Sequence, residues 1–408
     1  MVIFNFIGWC SVKKKFMIFF VILSFLHIFA GYDYIFLFIG DGMGINQVTL
    51  ADMYKKSVFS ESLNMLNLKN FSLVKTNSLN TVTDSAAAIT SIMSFEKTYN
   101  EKINIDKNGF PLSPITYYLK DMKYKIAGIT TTTITDATIA GLFSRVSDRK
   151  NNSEIFQQMI KSNFDLFIGG GRAFLKKEEI EKNNYSYDEN IPDNVNSKNE
   201  IISMAYSNMP FTMDASRVSL SEMLSYTLEK FGSNKFFIMT EGGRIDHAAH
   251  AHDSLTMIKE IIDFDDAVGK AIKFAEVHEN TLIIVTADHE TGGLSLGDGF
   301  INISNLSGQK VSYEKFISIY NQSSDYDKFI SETGFRGNLK DLYSATDKNI
   351  VYTSDIVQTF LNYYNSKAGL KWSTFGHTAN YVPLYSNRNI YDSYIIDNTE
   401  ILWKIIEK

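Results

Sequence analysis

Short apolar runs and longer amphipathic stretches alternate along the chain from residue 31 onward. The apolar runs are rich in β-branched and aromatic residues, which is typical of parallel strands buried on both faces. These predicted strands are Tyr34–Ile39, Lys125–Thr131, Asp165–Ile168, Lys235–Thr240 and Thr281–Thr286. The predicted helices between them are Ser85–Met93, Ser113–Met122, Ser153–Lys161, Ser219–Phe231 and Ser254–His278. This alternation predicts an α/β fold, a three-layer α/β/α sandwich around a large, mostly parallel sheet.

Two polar segments interrupt this rhythm. Lys176–Met209 is rich in Lys, Glu, Asn and Tyr, and Gly297–Lys348 is polar and aromatic without clear periodicity. We expect both to be surface insertions in one domain spanning residues 31–408, the second lying over one end of the sheet. The closing stretch Asn398–Trp403 is expected to form an N-capped terminal helix.

The first 30 residues have the pattern of a secretory signal peptide. Lys13–Lys15 precede a 14-residue apolar run, Phe16–Phe29, that ends at Ala30. The run is shorter than the roughly 20 apolar residues of a spanning helix, so no stable membrane anchor is expected. A buried N-terminal helix is the alternative, but it would press three lysines against the core. We therefore expect an exported protein, periplasmic or extracellular, cleaved near residue 30, although Ile28-Phe29-Ala30 is a poor cleavage site.

Composition removes several classes of protein. With 44% hydrophobic and 21% charged residues among 408, the chain can build a large core and is not disordered. A net charge of −6 gives no nucleic-acid-binding footprint. Cys10 is the only cysteine, which excludes an intramolecular disulfide and cysteine-based metal sites. Loss of the first 30 residues would remove Cys10 and change the charge from −6 to −9.

Acidic residues and histidines follow directly after three of the predicted strands. In α/β sheets, ligands bind at the carboxyl ends of the strands, so these side chains should meet there. They are Asp41, Glu241, Asp246, His247, His250, Asp288 and His289. Each one alone could be a turn residue or part of a solvated helix face, as we expect for His252 and His278. Together they place several like charges at one edge, which is costly unless cations bind there.

A nucleophile and an anion clamp can be added to this edge. Ser85 begins a helix of small residues, and helix N-termini favour anions, although an ordinary helix cap would look the same. Asp136 and Thr138 could join Asp41 and Glu241 in an all-oxygen set that suits Mg²⁺. Arg149 could hold two phosphate oxygens, although a single arginine is usually just surface charge.

These motifs together resemble the alkaline phosphatase family. They occur in the family's order between residue 34 and about residue 383, and six ordered motifs are far more specific than any one of them. The matching stretches are Gly40-Asp41-Gly42-Met43-Gly44, Thr83-Asp84-Ser85-Ala86-Ala87, Asp136-Ala137-Thr138 with Arg149, residues 241–250, Thr286-Ala287-Asp288-His289 and Gly376-His377-Thr378.

The resemblance implies a role for each matched residue. Ser85 would be the nucleophile that forms a phosphoserine, and Arg149 would bind the phosphate oxygens. It implies one Zn²⁺ held by Asp246, His250 and His377, and a second held by Asp41, Asp288, His289 and Ser85. It also implies one Mg²⁺ held by Asp41, Thr138 and Glu241, with Asp136 nearby through water and His247 beside this site.

The resemblance further implies a secreted, metal-dependent phosphomonoesterase with an alkaline pH optimum. It would hydrolyse small phosphate monoesters to phosphate and an alcohol. The resemblance also implies a homodimer, although the sequence itself does not show the interface. Four positions depart from the family pattern. Asp136 and His247 form a mixed pair where the family has Asp with Lys or His with His, Arg145 replaces a frequent His, and Ala379 replaces a usual Gly.

Two other functions fit the motifs less well. A related two-zinc hydrolase could act on sulfates or phosphodiesters, but Ser85 lacks the sulfatase Ser-x-Pro-x-Arg context, and diesterases generally lack the magnesium residues that Thr138 and Glu241 provide. A catalytically idle phosphate- or metal-binding protein should have lost the nucleophile or a ligand, whereas all are present.

Overall fold

A computed structural model describes residues 31–297, 299–322, 326–337 and 350–406. The predicted signal peptide, residues 1–30, lies outside this range, as does part of the second predicted insertion. None of the helices in the described residues is long and apolar enough to cross a membrane.

The described residues contain fourteen strands and thirteen α-helices. The strands are β1 (Tyr34–Ile39), β2 (Asn70–Lys75), β3 (Lys125–Thr133), β4 (Leu166–Gly170), β5 (Tyr185–Asp188), β6 (Asn199–Ala205), β7 (Phe236–Glu241), β8 (Thr281–Thr286), β9 (Glu290–Thr291), β10 (Ser295–Leu296), β11 (Leu370–Lys371), β12 (His377–Thr378), β13 (Val382–Ser386) and β14 (Ile395–Asp397). The helices are α1 (Ile45–Phe59), α2 (Ser85–Ser94), α3 (Ile115–Asp121), α4 (Ala137–Ala140), α5 (Asn152–Lys161), α6 (Lys177–Lys182), α7 (Leu220–Phe231), α8 (Arg244–His250), α9 (Ser254–Val277), α10 (Tyr313–Gln322), α11 (Tyr326–Thr333), α12 (Asp355–Ala368) and α13 (Trp403–Ile406).

Ten of these strands form one sheet in the order β14-β2-β13-β8-β1-β7-β3-β4-β6-β5. All neighbours pair in parallel except β13, which runs antiparallel to both β8 and β2. The four central strands β8, β1, β7 and β3 are buried almost throughout, as their continuous apolar sequences predict. The predicted α/β fold with a large, mostly parallel sheet is therefore confirmed.

Helices cover both faces of the sheet. Phe36 on β1 packs edge-on against Phe274 of α9, at 5.5 Å between ring centroids. Gly128 on β3 instead faces Ile139 of α4 and Leu142 just beyond it. The register aligns Gly128 with Met239, and Phe36 with the preceding residue of β7, so Gly128 and Phe36 point to opposite faces. The result is the three-layer arrangement that the sequence predicts.

The structure differs from the sequence expectation at the two predicted insertions. Residues 176–209 are not only a surface excursion, because β5 and β6 lie within them and extend the main sheet past β4. In the described part of residues 297–348, Phe316 of α10 stacks on Phe360 of α12 at 4.1 Å, and Phe329 of α11 packs against Phe316 at 5.8 Å. The exposed faces of these elements carry polar residues, so both segments look polar in the sequence although one face of each element is apolar and buried.

The C-terminal end also differs in detail. Residues 398–400 form a 3₁₀ turn capped by Asp397, whose carboxylate and the Glu400 side chain make a reciprocal capping box, and the α-helix α13 starts only at Trp403. The capping signal in the sequence is therefore real, but its first residue is Asp397 rather than Asn398.

Candidate active site

The candidate site lies at the carboxyl ends of β8, β1, β7 and β3. The register aligns Ile39 at the end of β1 with Glu241 on β7 and Thr286 on β8, so the loops that follow start at the same level. Gly42 in the first loop has φ +70°, and a Cβ there would lie 2.8 Å from Asp246 Oδ1. Only glycine allows the backbone to pass this close to the acidic side chains.

One cluster joins Asp41, Asp288 and His289. His289 Nε2 lies 3.1 Å from Asp288 Oδ2 and 3.5 Å from Asp41 Oδ1, and all three side chains are buried. The other Asp288 oxygen accepts hydrogen bonds from the backbone N–H groups of Gly42 and His289. Asp41 Oδ1 and Asp288 Oδ2 are buried without a hydrogen-bond partner. Two unpartnered carboxylate oxygens beside an imidazole nitrogen are a donor set that fits a divalent cation such as Zn²⁺.

A second cluster joins Asp246, His250 and His377. His250 Nε2 lies 3.2 Å from Asp246 Oδ2 and 3.1 Å from His377 Nε2, and His377 Nε2 is 3.8 Å from Asp246 Oδ1. The Nδ1 atoms are committed elsewhere, because His250 bonds the Phe375 carbonyl and His377 bonds the Thr83 carbonyl. Both Nε2 atoms are therefore aimed at one point, as metal-binding imidazoles are. His289 also lies within reach of Asp246 and His377, so the two clusters adjoin.

The charges of these groups are strongly coupled. Burial, and then the neighbouring Asp288 and Asp246, raise the pKa of Asp41 well above its usual range. Burial opposes ionisation of Asp246 as well, but His250 and His377 hold the pKa of that carboxyl well below its usual range. Burial and the nearby His289 lower the pKa of His377 to about 4, whereas Asp246 overcomes burial and raises the pKa of His250 to about 9. Such a set of buried charges is expected where cations bind.

A third group of oxygens lies around Glu241 at the end of β7. Glu241 Oε2 accepts hydrogen bonds from Thr130 Oγ1 at 2.5 Å and from Thr132 Oγ1 at 3.3 Å, and the Thr138 side chain also bonds this carboxyl. Burial raises the pKa of Glu241 to about 8, and Asp136 adds to the effect. The oxygen-only character that the sequence predicts for this group is present, and it fits Mg²⁺. Thr130 and Thr132 were not predicted, since hydroxyls on a buried strand look like ordinary β-formers.

Ser85 lies between these groups at the start of α2. The cap of α2 is Asp84, whose carboxylate accepts from Ala87 N at 2.9 Å, so the helix begins at Ser85 itself. Ser85 is buried, and its Oγ is 3.3 Å from His289 Nε2. A hydroxyl at a helix N-terminus beside a candidate metal cluster is well placed to become a nucleophile toward an anionic group.

Arg149 reaches the same place, but it is not a free cation. Its two terminal nitrogens lie 3.3 Å from Asp84 Oδ2 and 3.0 Å from Asp136 Oδ1. Burial would lower the pKa of this guanidinium, but the carboxylates of Asp136 and Asp84 overcome the effect and raise it. The bracing fixes the direction of the guanidinium, and a fixed fork suits bidentate binding of phosphate oxygens.

His247 is held by an arginine that the sequence analysis missed. Arg244 is 2% exposed, lies 3.6 Å above the Phe211 ring, donates to His247 Nδ1 at 2.8 Å and pairs with Glu314 at 2.7 Å. Burial, and then Arg244, lower the pKa of His247. The signal available in the sequence was the position of Arg244 within the matched stretch of residues 241–250.

The expectation of a surface role for His252 is wrong. Its ring is stacked between Trp372 and Phe375, with centroids at 5.2 and 4.2 Å, and its Nε2 bonds the Thr374 carbonyl. His252 thereby supports the chain segment that leads to His377. His278 does lie near the surface, stacked on Phe274.

A cavity of about 300 Å³ opens beside Ser85. Its lining residues are Ser85, Arg149, Asp246, His247, His250, Tyr313, Tyr352 and His377. The cavity therefore joins the candidate nucleophile, the arginine and the second metal cluster in one space that a phosphoryl group could enter.

Comparison with known proteins agrees with this site. A family model described as alkaline phosphatase matches residues 33–203 and 203–402. The chain is 30% identical over 399 residues to alkaline phosphatase 3 of Bacillus subtilis (strain 168), covering 89% of this chain and 86% of that protein. It is 26% identical over 441 residues to the repressible alkaline phosphatase of Saccharomyces cerevisiae, covering 89% and 77%.

Two solved structures share the fold. A cold-active alkaline phosphatase from a psychrophilic Shewanella superposes with a TM-score of 0.83 at 24% identity, over 91% of this chain and 98% of that one. The alkaline phosphatase of the Antarctic bacterium TAB5 superposes with a TM-score of 0.69 at 26% identity, over 92% and 97%. A histidine-to-aspartate variant of the TAB5 protein was solved with Mg bound in its M3 site.

Proposed function

Because the chain belongs to the alkaline phosphatase family and is a metal-dependent enzyme of that family, we propose that it hydrolyses phosphate monoesters through a phosphoserine formed on Ser85. The observation that carries the proposal is the common cavity of Ser85, Arg149 and His377, beside the unpartnered oxygens of Asp41 and Asp288.

Three metal sites belong to this proposal. Zn²⁺ would be held by Asp246, His250 and His377, and a second Zn²⁺ by Asp41, Asp288, His289 and Ser85. Mg²⁺ would be held by Asp41, Thr138 and Glu241, with Asp136 through water, and the Mg bound in the TAB5 variant supports the choice of this metal. When bound, these cations lower the pKa of the serine hydroxyl and neutralise charge on the oxygens of the phosphoryl group.

The chain's own residues account for the remaining requirements of phosphoryl transfer. Arg149, braced by Asp84 and Asp136, would orient two phosphate oxygens over Ser85. Ser85 Oγ forms the new P–O bond while the P–O bond to the alcohol breaks, and the alcohol leaves with a proton. Water then breaks the Ser85 Oγ–P bond, which releases phosphate and returns a proton to the serine.

The direct test compares the wild type with Ser85→Ala. With Zn²⁺ and Mg²⁺ at alkaline pH, the wild type should hydrolyse p-nitrophenyl phosphate and Ser85→Ala should not. Ser91→Ala is the matched control, because Ser91 is equally buried in α2 but bonds the Ala87 carbonyl. Full turnover by Ser85→Ala, or a preference for bis(p-nitrophenyl) phosphate over the monoester, would contradict the proposal.

Metal content gives an independent measurement. Elemental analysis of the active protein should find two zinc and one magnesium per chain. A third zinc in place of magnesium would contradict the assignment of Thr138 and Glu241, since an all-oxygen set favours the harder cation.

We further propose that the protein is exported through its first 30 residues, works at alkaline pH and forms a homodimer. Mass spectrometry of the mature N-terminus, a pH–rate profile and light scattering test these three points separately.

A further inference from the structure

Two aromatic side chains line the cavity beside Ser85 without a role in phosphoryl transfer. They are Tyr313, the first residue of α10, and Tyr352, which precedes α12. Ser85 and Arg149 supply the wall that would contact the phosphoryl group. The two tyrosines therefore belong to the part of the cavity that remains for the alcohol portion of a monoester.

Tyr313 is rigidly held. Its backbone N–H donates to Asp253 Oδ2 at 2.8 Å, and its hydroxyl donates to Glu314 Oε1 at 3.2 Å. Its ring meets Phe211 edge-on at 5.7 Å, and the residue is only 8% exposed. A side chain held at both its hydroxyl and its ring, on a hydrogen-bonded backbone, loses little freedom when a ligand packs against it.

Tyr352 completes a corner with Tyr313. The two ring centroids are 6.4 Å apart with an interplanar angle of 73°, and the Tyr352 ring lies 6.3 Å from that of His250. The Tyr352 carbonyl accepts from Gln358 Nε2 at 2.7 Å, which anchors the segment to α12. Two rings at nearly right angles offer a third ring both a face and an edge.

On the basis of the proposed phosphomonoesterase function, we propose that Tyr352 and Tyr313 form a leaving-group subsite that favours planar aromatic alcohols. A cavity of about 300 Å³ is at the small end of ligand pockets, so it suits a phosphoryl group with one ring rather than a long chain.

Binding of two phosphonates to the zinc- and magnesium-loaded protein tests the subsite without turnover. Phenylphosphonate carries the ring, and methylphosphonate carries the same anionic group without it. Tyr352→Ala should weaken the binding of phenylphosphonate by about 2- to 12-fold, which is the range expected for one aromatic contact. The affinity for methylphosphonate should stay within about 2-fold of the wild-type value. Tyr352→Phe should retain wild-type affinity for both compounds. Tyr394→Ala, at an 85% exposed tyrosine outside the cavity, controls for general effects.

Steady-state kinetics adds a second comparison. Tyr352→Ala should lower kcat/KM for phenyl phosphate by a similar factor while changing that for glycerol phosphate little. Equal losses for ring and non-ring ligands, or no loss for either, would overturn the subsite. If phenylphosphonate binds in the expected pattern but no monoester is hydrolysed, only the proposed function fails.

Discussion

Glu241→Gln should stabilise the metal-free protein at alkaline pH. The carboxyl of Glu241 is 1% exposed and faces the negative charges of Asp136 and Asp288, with threonine hydroxyls as its hydrogen-bond donors. Ionising it in the folded chain is therefore costly when no cation is bound. Glutamine keeps the shape and the acceptor oxygen but removes the charge.

The size of the effect follows from the pKa of Glu241. The pKa of this carboxyl is about 8 in the folded chain and 4.5 in the unfolded chain. Because one pKa unit corresponds to about 1.4 kcal/mol, the ionised carboxyl lowers the free energy of unfolding by about 5 kcal/mol. Because the pKa of Glu241 is higher in the folded chain than in the unfolded chain, this carboxyl destabilises the fold only when it is ionised. Its contribution to stability is therefore complete below pH 4.5 and is lost as the pH rises through 8. The glutamine amide leaves its N–H groups imperfectly paired in this buried position, which offsets about 1–3 kcal/mol of the stabilisation gained by removing the charge. A net stabilisation of about 2–4 kcal/mol is expected at about pH 9.

Urea unfolding of chelator-treated protein at about pH 5 and about pH 9 measures this difference. The wild type should lose more stability than Glu241→Gln between the two conditions, and added Mg²⁺ should restore the wild type preferentially. Glu200→Gln is a matched control, because Glu200 is also buried but forms an ion pair with Lys230 at 3.1 Å. Removing the charge of Glu200 should therefore destabilise the protein. A Glu241→Gln variant no more stable than wild type at about pH 9 would refute the reasoning.

Two further substitutions test the proposed phosphate contact of Arg149 and the proposed zinc ligands. Arg149→Lys should lower kcat/KM by about 10- to 100-fold, because lysine cannot replace the bidentate contact of a guanidinium braced by Asp84 and Asp136. An unchanged affinity for phosphate in calorimetry would count against this. Glu290→Ala should weaken zinc binding by about 10- to 100-fold, measured in competition with a chelator. The reason is that Glu290 accepts a hydrogen bond from Thr378 and so holds β12, the strand that carries His377, in place. An unaltered zinc affinity would show that this strand is fixed by other contacts.

Much of the fold could be predicted because the strongest sequence patterns lie where burial is most complete. The strands β1 and β8 coincide with their predicted ranges, since both faces of a central parallel strand must be apolar. Strands β5 and β14 were missed, because these two edge strands are short and carry polar residues that look like loop sequence. Strand β6 lies between β4 and β5, and it was missed because the segment around it, residues 176–209, is polar overall. The pairing of β13 between β8 and β2 depends on contacts between distant segments, which local patterns do not encode.

The sequence by itself determined the family to which this protein belongs and the residues that are candidates for its site. Asp41, Ser85, His289 and the other candidate residues follow strand ends or a helix start, and their order in the chain identified the family. Such motifs can be recognised because a metal ligand or a nucleophile cannot be exchanged for another side chain without loss of the chemistry.

The tertiary structure alone decided how these groups are arranged. It aimed the Nε2 atoms of His250 and His377 at one point by occupying their Nδ1 atoms, braced Arg149 between two carboxylates, and buried His252 under Trp372. It also brought Tyr313 and Tyr352 to the cavity from segments whose sequences show no catalytic pattern. The reason is physical, because hydrogen-bond direction, burial and ring stacking are fixed by neighbours far away in the chain, whereas sequence spacing reports only the nearest ones.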